Sequence, residues 1–360
     1  MELGVYVHYP WCRKLCPYCD FAVEVGPPEH GAYARAITDE IARRADKFPG
    51  ELVSIYFGGG TPSLWDPECL AKVIEDIRRR WNAPNEVTIE ANPTDCTDER
   101  LAAWRAAGID RVSIGVQSLV ADELVVLGRD HRFGDGPAAL QRVLGHGLRA
   151  SCDFILGTPT PKSYDWSWLQ LADTGVGHLS VYELTIEERT QFGTRVAAGK
   201  LIPRDEDTLA ELYERADREL GARGFEHYEI SSYARPGQRA IHNSLYWRGL
   251  PFLGVGVGAA SLEVRPDGSG ERATNPRRWR DYAAGVPPTV IESDPDDMAA
   301  DRLWLGMRTK DGVREGELPA EVQAWVLGEG LATRVGGRIC PTLRGFLMAD
   351  RIAARIAEAL

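Results

Sequence analysis

Three cysteines, Cys12, Cys16 and Cys19, crowd into one short segment, His8-Tyr9-Pro10-Trp11-Cys12-Arg13-Lys14-Leu15-Cys16-Pro17-Tyr18-Cys19. On a loop punctuated by prolines, three thiolates this close can converge on one centre. A structural zinc ion takes four ligands, usually as two spaced pairs, and no second pair follows. An all-cysteine [4Fe–4S] cluster also takes four thiolates. Three would leave one iron open to bind and activate a small molecule. Two plainer readings stand beside this one: three packing cysteines, or a zinc site completed by His8. Neighbouring Arg13 and Lys14 would favour the thiolate form. The remaining cysteines, Cys69, Cys96, Cys152 and Cys340, are scattered and read as small packing residues. Cys152, beside Asp153, is a candidate for burial near a ligand.

A second set of groups recurs at one kind of position, the carboxyl end of a predicted strand. Gly58-Gly59-Gly60-Thr61-Pro62 follows one strand, Glu90 ends the next, Gln117 lies just beyond a third and Asp153 lies in a fourth. Parallel α/β folds place chemistry there. The triple glycine lets backbone approach a ligand closely and offer N–H donors. It is not a nucleotide P-loop, because no Gly-Lys-Ser/Thr follows at the required spacing. Taken singly, Glu90, Gln117, Arg129 and Asp153 serve equally well as caps or solvated charges.

The elements that must position these groups alternate. Strand patterns at residues 3–9, 52–57, 87–91, 111–116, 150–156 and 178–184 interleave with helical patterns at 31–48, 66–81, 98–107, 121–127, 138–146 and 164–174. Asp66-Pro67 reads as an N-cap with proline at the first helical position, and Gly108 as a C-terminal stop. Six strand–helix units in series predict a parallel sheet, wound into a barrel or an open sheet and short of a closed eight-fold barrel. A long helix over 205–223 and a strand over 225–230 follow. Residues 233–300 are rich in Gly, Pro, Arg and Asp, with few periodic runs. Helical pattern returns at 298–307, 319–327 and 346–360. The expected organisation is α/β, with a core domain over 1–233 and a small, mainly helical domain over 234–360.

Composition narrows the field. Charged residues make up 26% and the net charge is −11, which argues against a phosphate backbone as partner, so no nucleic-acid role is expected. No run of about 18 apolar residues exists, so no transmembrane segment is expected. The first residues lack a signal-peptide pattern, and seven cysteines do not make a disulfide scaffold. The cytoplasm is the expected location.

The spacing C-x3-C-x2-C, with aromatic Tyr18 before the last cysteine, resembles the radical S-adenosylmethionine (SAM) superfamily. The resemblance implies a [4Fe–4S] cluster held by Cys12, Cys16 and Cys19. It further implies SAM chelated to the open iron and reductive cleavage of its sulfonium to a 5′-deoxyadenosyl radical. The runs Tyr6-Val7-His8-Tyr9-Pro10-Trp11-Cys12, Tyr56-Phe57-Gly58-Gly59-Gly60-Thr61-Pro62-Ser63, Gly115-Val116-Gln117-Ser118 and Gly128-Arg129-Asp130-His131 are similar to the oxygen-independent coproporphyrinogen III oxidase (HemN-like) family over nearly the whole chain. By motif position the resemblance implies SAM contacts at Tyr6, Gly59, Gly60, Thr61, Glu90, Gln117, Arg129 and Asp153. It places Tyr18 and Phe21 beside the cofactors. It implies a six-unit (β/α)6 partial TIM barrel with a small C-terminal domain.

Three features resemble the HemW-type heme chaperone branch rather than the decarboxylating oxidase. Phe21 stands where the oxidase has a fourth cysteine. Eleven residues precede Cys12, where the oxidase has a long segment. His242-Asn243-Ser244-Leu245-Tyr246-Trp247 matches the HNxxYW motif of that branch. His242 is then a candidate heme contact, since histidine is a common axial ligand and Tyr246 and Trp247 offer flat apolar surface. Alternatively His242 and Asn243 satisfy backbone groups while Trp247 packs in the core. Two positions depart from the HemN-like pattern, Thr158 in Ile155-Leu156-Gly157-Thr158-Pro159 and Ala260 in Gly258-Ala259-Ala260-Ser261. The resemblance implies a carrier of heme to heme-accepting proteins, with no catalytic residue assigned. Its alternatives are a coproporphyrinogen III dehydrogenase served by a one-electron donor such as a flavodoxin, or another HemN-like enzyme such as a methyltransferase.

Overall fold

The computed structural model describes residues 1–160 and 166–360. Six parallel strands form its centre: β1 (Glu2–Tyr9), β2 (Glu51–Gly59), β3 (Glu86–Ala91), β4 (Arg111–Gln117), β5 (Arg149–Leu156) and β6 (His178–Glu183). They pair in sequence order. Helices His30–Arg44, Pro67–Arg80, Asp98–Ala107, Asp135–Gly145 and Glu206–Gly221 alternate with them or follow. The partial barrel expected from the six units is therefore present.

Strand side chains alternate between two environments, as a period of two requires. One set is apolar and buried against the helices: Val5, Val7, Ile55, Phe57, Ile89 and Val112 belong to it. The other set lies inside the barrel and is polar, with Ser54, Thr88, Arg111, Ser113, Ser151 and His178 all buried. A polar lumen needs internal partners. Ser113 Oγ donates to Asp153 at 2.9 Å, and Ser151 Oγ bonds His178 Nδ1 at 2.7 Å.

Local signals explain the helix boundaries. Asp66 accepts from the backbone N–H groups of Glu68 and Cys69, with Pro67 at the first helical position. Gly108 ends its helix at φ +96°, a conformation that disfavours any side chain. Asp205 caps the long helix through the N–H of Thr208. The helix expected over 164–174 differs. Residues 164 and 165 lie outside the described residues, and Ser167–Asp173 is a 3₁₀ helix.

The sheet continues past the sixth unit. Short strands β7 (Glu226–Glu229) and β8 (Ser232–Ala234) extend it beyond β6. On the other edge β9 (Phe252–Val255) pairs parallel to β1. Strands β10 (Ala260–Val264), β11 (Gly270–Thr274) and β12 (Thr289–Ser293) complete twelve strands in the order β12-β11-β10-β9-β1-β2-β3-β4-β5-β6-β8-β7. None of β9–β12 was expected. They are four or five residues each, and their pairing depends on partners distant in sequence.

This extension bears on the expected boundary at 233/234. One apolar cluster runs from Leu3 to Val257, and a second begins at Leu303 and includes Val322, Val326, Ile339 and Ile352. By packing, the chain divides after the extended sheet, well beyond residue 233. Residues from Pro295 onward carry helices Pro295–Gly306, Ala320–Gly328, Leu343–Leu347 and Ala349–Ala359, with a three-stranded sheet of Val313–Arg314, Ala332–Val335 and Arg338–Pro341. That unit is small and mainly helical. No helix among the described residues is long and apolar enough to cross a membrane.

Candidate functional site

The carboxyl ends of the strands surround a cavity of about 730 Å³. This is within the size range of small-molecule sites. Its wall includes Cys16, Cys19, Tyr18 and Phe21 on the cysteine loop, Gly59 at the end of β2 with Gly60 and Thr61 just beyond it, and Tyr6, Glu90, Gln117, Arg129 and Asp153. Every expected site residue therefore meets in one place, except Cys12 and His242.

The cysteine loop is stitched to the glycine turn. Gly60 N–H donates to Tyr9 O at 2.7 Å and Thr61 N–H to Trp11 O at 3.0 Å. Thr61 Oγ1 donates to Cys12 Sγ at 3.4 Å, which places Cys12 beside the cavity wall. Gly59 N–H donates to Glu90 Oε2 at 3.2 Å. These N–H groups are thus spent on holding the loop, rather than offered to a ligand as expected. What the glycines supply is space. A Cβ on Gly59, at φ +110°, would lie 2.5 Å from the His8 ring, and one on Gly60 would lie 2.7 Å from Pro10 O.

The three thiols suit iron. Sulfur ligands select soft metals and iron–sulfur clusters. Burial pushes the Cys12 thiol up to about 11 and raises that of Cys19. A positively charged metal reverses that preference, because coordination deprotonates a thiol outright. Arg13 is not the neighbouring cation expected, since it is paired with Asp95. Arg129 takes that place, with Nη1 3.9 Å from Cys16 Sγ. The zinc alternative loses its fourth ligand: His8 Nδ1 bonds Tyr6 OH at 3.0 Å and Nε2 bonds Ala22 O at 2.9 Å. Among the described residues, no three His, Cys, Asp or Glu side chains converge as they would on a single metal ion.

The opposite wall suits an amino-acid-bearing ligand. Arg129 is half-buried, and its Nη2 donates to Asn92 Oδ1 at 2.6 Å and Gly115 O at 3.1 Å. Its Nε is buried with no partner, an orphaned charged donor in the cavity wall. Such a group carries a large desolvation cost unless a ligand acceptor meets it. Gln117 holds φ at +65°, alone among non-glycine described residues. Backbone strain of this kind concentrates at ligand sites. Glu90 accepts from Tyr56 OH at 2.7 Å. Burial pushes its carboxyl up to about 7 and raises that of Asp153.

Glu90 gives a pH prediction. Its ordinary value is 4.5 and its folded value about 7, so the folded state binds the proton more tightly. The folded state is then favoured below 4.5, and that advantage is lost as pH rises through 7. Glu90→Gln is expected to gain on the wild type across this window by about 3 kcal/mol in the cluster-free protein. Urea denaturation at a series of pH values measures it, and a pH-independent difference contradicts it.

His242 does not reach the cavity, and the expectation of a heme contact is corrected. Helix Ile241–Trp247 plugs the amino-terminal end of the barrel. Its N–H groups at Ile241 and His242 donate to the buried Glu86 carboxylate at 3.2 and 3.3 Å. His242 Nδ1 bonds Ser54 Oγ at 2.8 Å and Nε2 bonds Tyr246 OH at 2.7 Å, so neither ring nitrogen is open to iron. Burial lowers its pKa to about 3 and keeps the ring neutral. The ring stacks on Tyr56 at 5.1 Å, which links the plug to Glu90. His242→Ala is expected to cost about 2–4 kcal/mol of stability through two lost hydrogen bonds and a void. Hemin stoichiometry is expected to stay at the wild-type value in a Soret titration.

Sequence reasoning missed Tyr56, Asn92, Ser113 and Tyr182, all in the cavity wall. The signal was available for three of them. Tyr56 pairs in register with Tyr6, Ser113 with Glu90, and Tyr182 lies two positions after Ser180, the register partner of Asp153. Cys152 is buried on the other face of β5 from Asp153, so it packs among the helices rather than near a ligand.

The fold and a cavity joining Cys16 and Cys19, with Cys12 beside its wall, to half-buried carboxylates and an arginine define a radical SAM protein, and the profile of the Radical SAM superfamily matches residues 6–164. The heme chaperone HemW of Mycobacterium tuberculosis is 34% identical over 366 residues, covering 97% of this chain and 93% of that protein. The heme chaperone HemW of Escherichia coli is 35% identical over 83% of this chain and 80% of its own. The mouse mitochondrial radical S-adenosyl methionine domain-containing protein 1 is 37% identical over 92% of this chain and 74% of its own. The solved structure of Escherichia coli coproporphyrinogen III oxidase, HemN, covers all of this chain and 91% of its own at TM-score 0.80, with 21% identity, which shows the fold. The chain belongs to the radical SAM superfamily and, within it, to the family of the heme chaperone HemW. That family implies SAM and a [4Fe–4S] cluster as cofactors.

Proposed function

We propose that this protein is a heme chaperone that binds a [4Fe–4S] cluster and SAM in the strand-end cavity and carries heme as cargo to heme-accepting proteins. The observation that carries the cofactor reading is one cavity with Cys16 and Cys19 in its wall together with Glu90, Asp153 and the unpartnered Nε of Arg129. When bound, the cluster supplies one open iron and one-electron chemistry. Cys12, Cys16 and Cys19 would hold it. Arg129 would take the carboxylate of SAM, since a guanidinium suits that geometry. Glu90 and Asp153 would accept its amino and hydroxyl hydrogens. Tyr18 and Phe21 would cover the cluster side, and the turn at Gly59 and Gly60 would leave room for the methionine end. Phe21 lines the cavity where the oxidase branch places a further cysteine, which favours carriage over decarboxylation.

The cargo reading rests on the relatives named heme chaperones. We set the activity in the cytoplasm, because none of the cysteines is in a disulfide. An electron donor is needed only if SAM is cleaved. An anaerobic hemin titration of cluster-reconstituted protein tests the proposal. Saturation of the Soret band near one heme per chain is expected. Absence of saturable binding, with deoxyadenosine released on reduction, would point instead to a radical enzyme.

A further inference from the structure

A second cavity of about 870 Å³ lies between the underside of the barrel and the C-terminal unit, remote from the cysteine loop. It is larger than the first and within the range of small-molecule sites. Its wall joins β7, the loop at Arg239, the end of the Ile241–Trp247 helix, and the segments from Arg302 to Glu317 and from Val335 to Cys340.

The wall is basic in an acidic chain. It carries Arg239, Arg248, Arg302, Lys310, Arg314 and Arg338 against Glu226, Asp311 and Glu317. The chain as a whole is at −11, so this local excess of positive charge runs against the composition. Four of the six are engaged. Arg239 pairs with Glu226 and Asp311, Lys310 with Glu226 and Arg248 with Glu2. Arg338 donates to the carbonyls of Asp311 and Gly312 at 2.6 and 2.7 Å. Arg302 and Arg314 enter no ion pair among the described residues. Two unengaged guanidiniums on one cavity suit a ligand with two carboxylates.

The same wall offers a flat apolar surface. Trp247 is half-buried and lines the cavity, beside the buried carboxylate of Glu229. An indole in the wall offers a ligand flat apolar area. A flat apolar body with two acidic arms is the shape of a tetrapyrrole bearing propionates.

We infer that this second cavity is the cargo site, holding heme with its ring against Trp247 and its carboxylates on Arg302 and Arg314. The inference rests on the proposed heme reading and adds where the cargo sits. It separates the cargo from the SAM cavity by the full height of the barrel. His242, with both nitrogens engaged, lies behind Tyr56 of the first cavity and near the start of the helix that carries Trp247 for the second.

The test compares hemin titrations of the reconstituted full-length wild type, the double variant Arg302→Gln/Arg314→Gln, and Trp247→Leu. Both arginines are exposed, so the double variant is expected to keep its fold, checked by unchanged iron content. Wild type is expected to saturate near one heme per chain. The double variant is expected to bind at least about ten-fold more weakly and to lose most of the salt dependence of binding. Trp247→Leu is expected to shift the Soret band. Wild-type saturation with unchanged affinity in the double variant overturns the second cavity while leaving the chaperone reading in place. Failure of wild type itself to bind heme overturns both.

Discussion

Replacing Cys12, Cys16 and Cys19 together by alanine is expected to abolish cluster assembly, from about four irons per chain to about none. The loop does not depend on the three sulfurs for its shape. It is held by Gly60 and Thr61 N–H groups on Tyr9 and Trp11 carbonyls, and by the short pairing of Trp11–Cys12 with Glu24–Val25. Trp11 is buried against Tyr33 and Trp279. The variant should therefore fold with wild-type helix content while losing iron, sulfide and the visible absorbance they confer. Anaerobic reconstitution followed by iron and sulfide analysis measures this. Retention of near-stoichiometric iron and sulfide would sink the assignment of the three ligands.

The second large effect belongs to Arg129. It braces three segments, through Asn92 after β3, Gly115 in β4 and Cys16 on the cysteine loop. Its remaining donor, Nε, has no partner in the protein. A charge-assisted bond to a ligand carboxylate contributes about 1.5–3 kcal/mol. Arg129→Met is therefore expected to weaken SAM binding by about ten- to a hundred-fold, read by equilibrium dialysis on reconstituted protein. Arg129→Lys is expected to restore little, because an ammonium cannot reproduce the planar fork. Iron content separates the two roles, since a purely structural brace would lower iron and SAM together. Full rescue by lysine would show that charge alone matters there.

Much of this site is legible in the sequence, and the reason is periodicity. Val5, Val7, Ile55 and Phe57 alternate with Tyr6, Tyr56 and Gly58, so strands and their polar face could be read together. Because residues at the ends of parallel strands converge, Glu90, Gln117 and Asp153 could be placed in one site while far apart in sequence. What alternation could not reveal was pairing at a distance. Strand β9 contributes four residues beside β1, and its neighbour β10 approaches so closely that a Cβ on Gly254 would lie 1.8 Å from Ala260 O. Such contacts leave only a glycine-rich texture in the sequence. His242 was misread for a related reason. Its motif carries chemistry suited to iron, but Glu86 and Ser54 come from two distant strands, and Tyr246 from the next turn of its own helix, to bury it and satisfy it. The basic second cavity was equally hidden, because its arginines are spread from Arg239 to Arg338.

The central claim is that one cavity holds cluster and SAM in contact. The electron paramagnetic resonance spectrum of the reduced, reconstituted protein tests it most directly, recorded with and without saturating SAM. The account predicts a cluster signal whose g values shift when SAM is added, with the shift lost in Arg129→Met. Identical spectra with and without SAM, in protein shown to carry about four irons per chain, would contradict it.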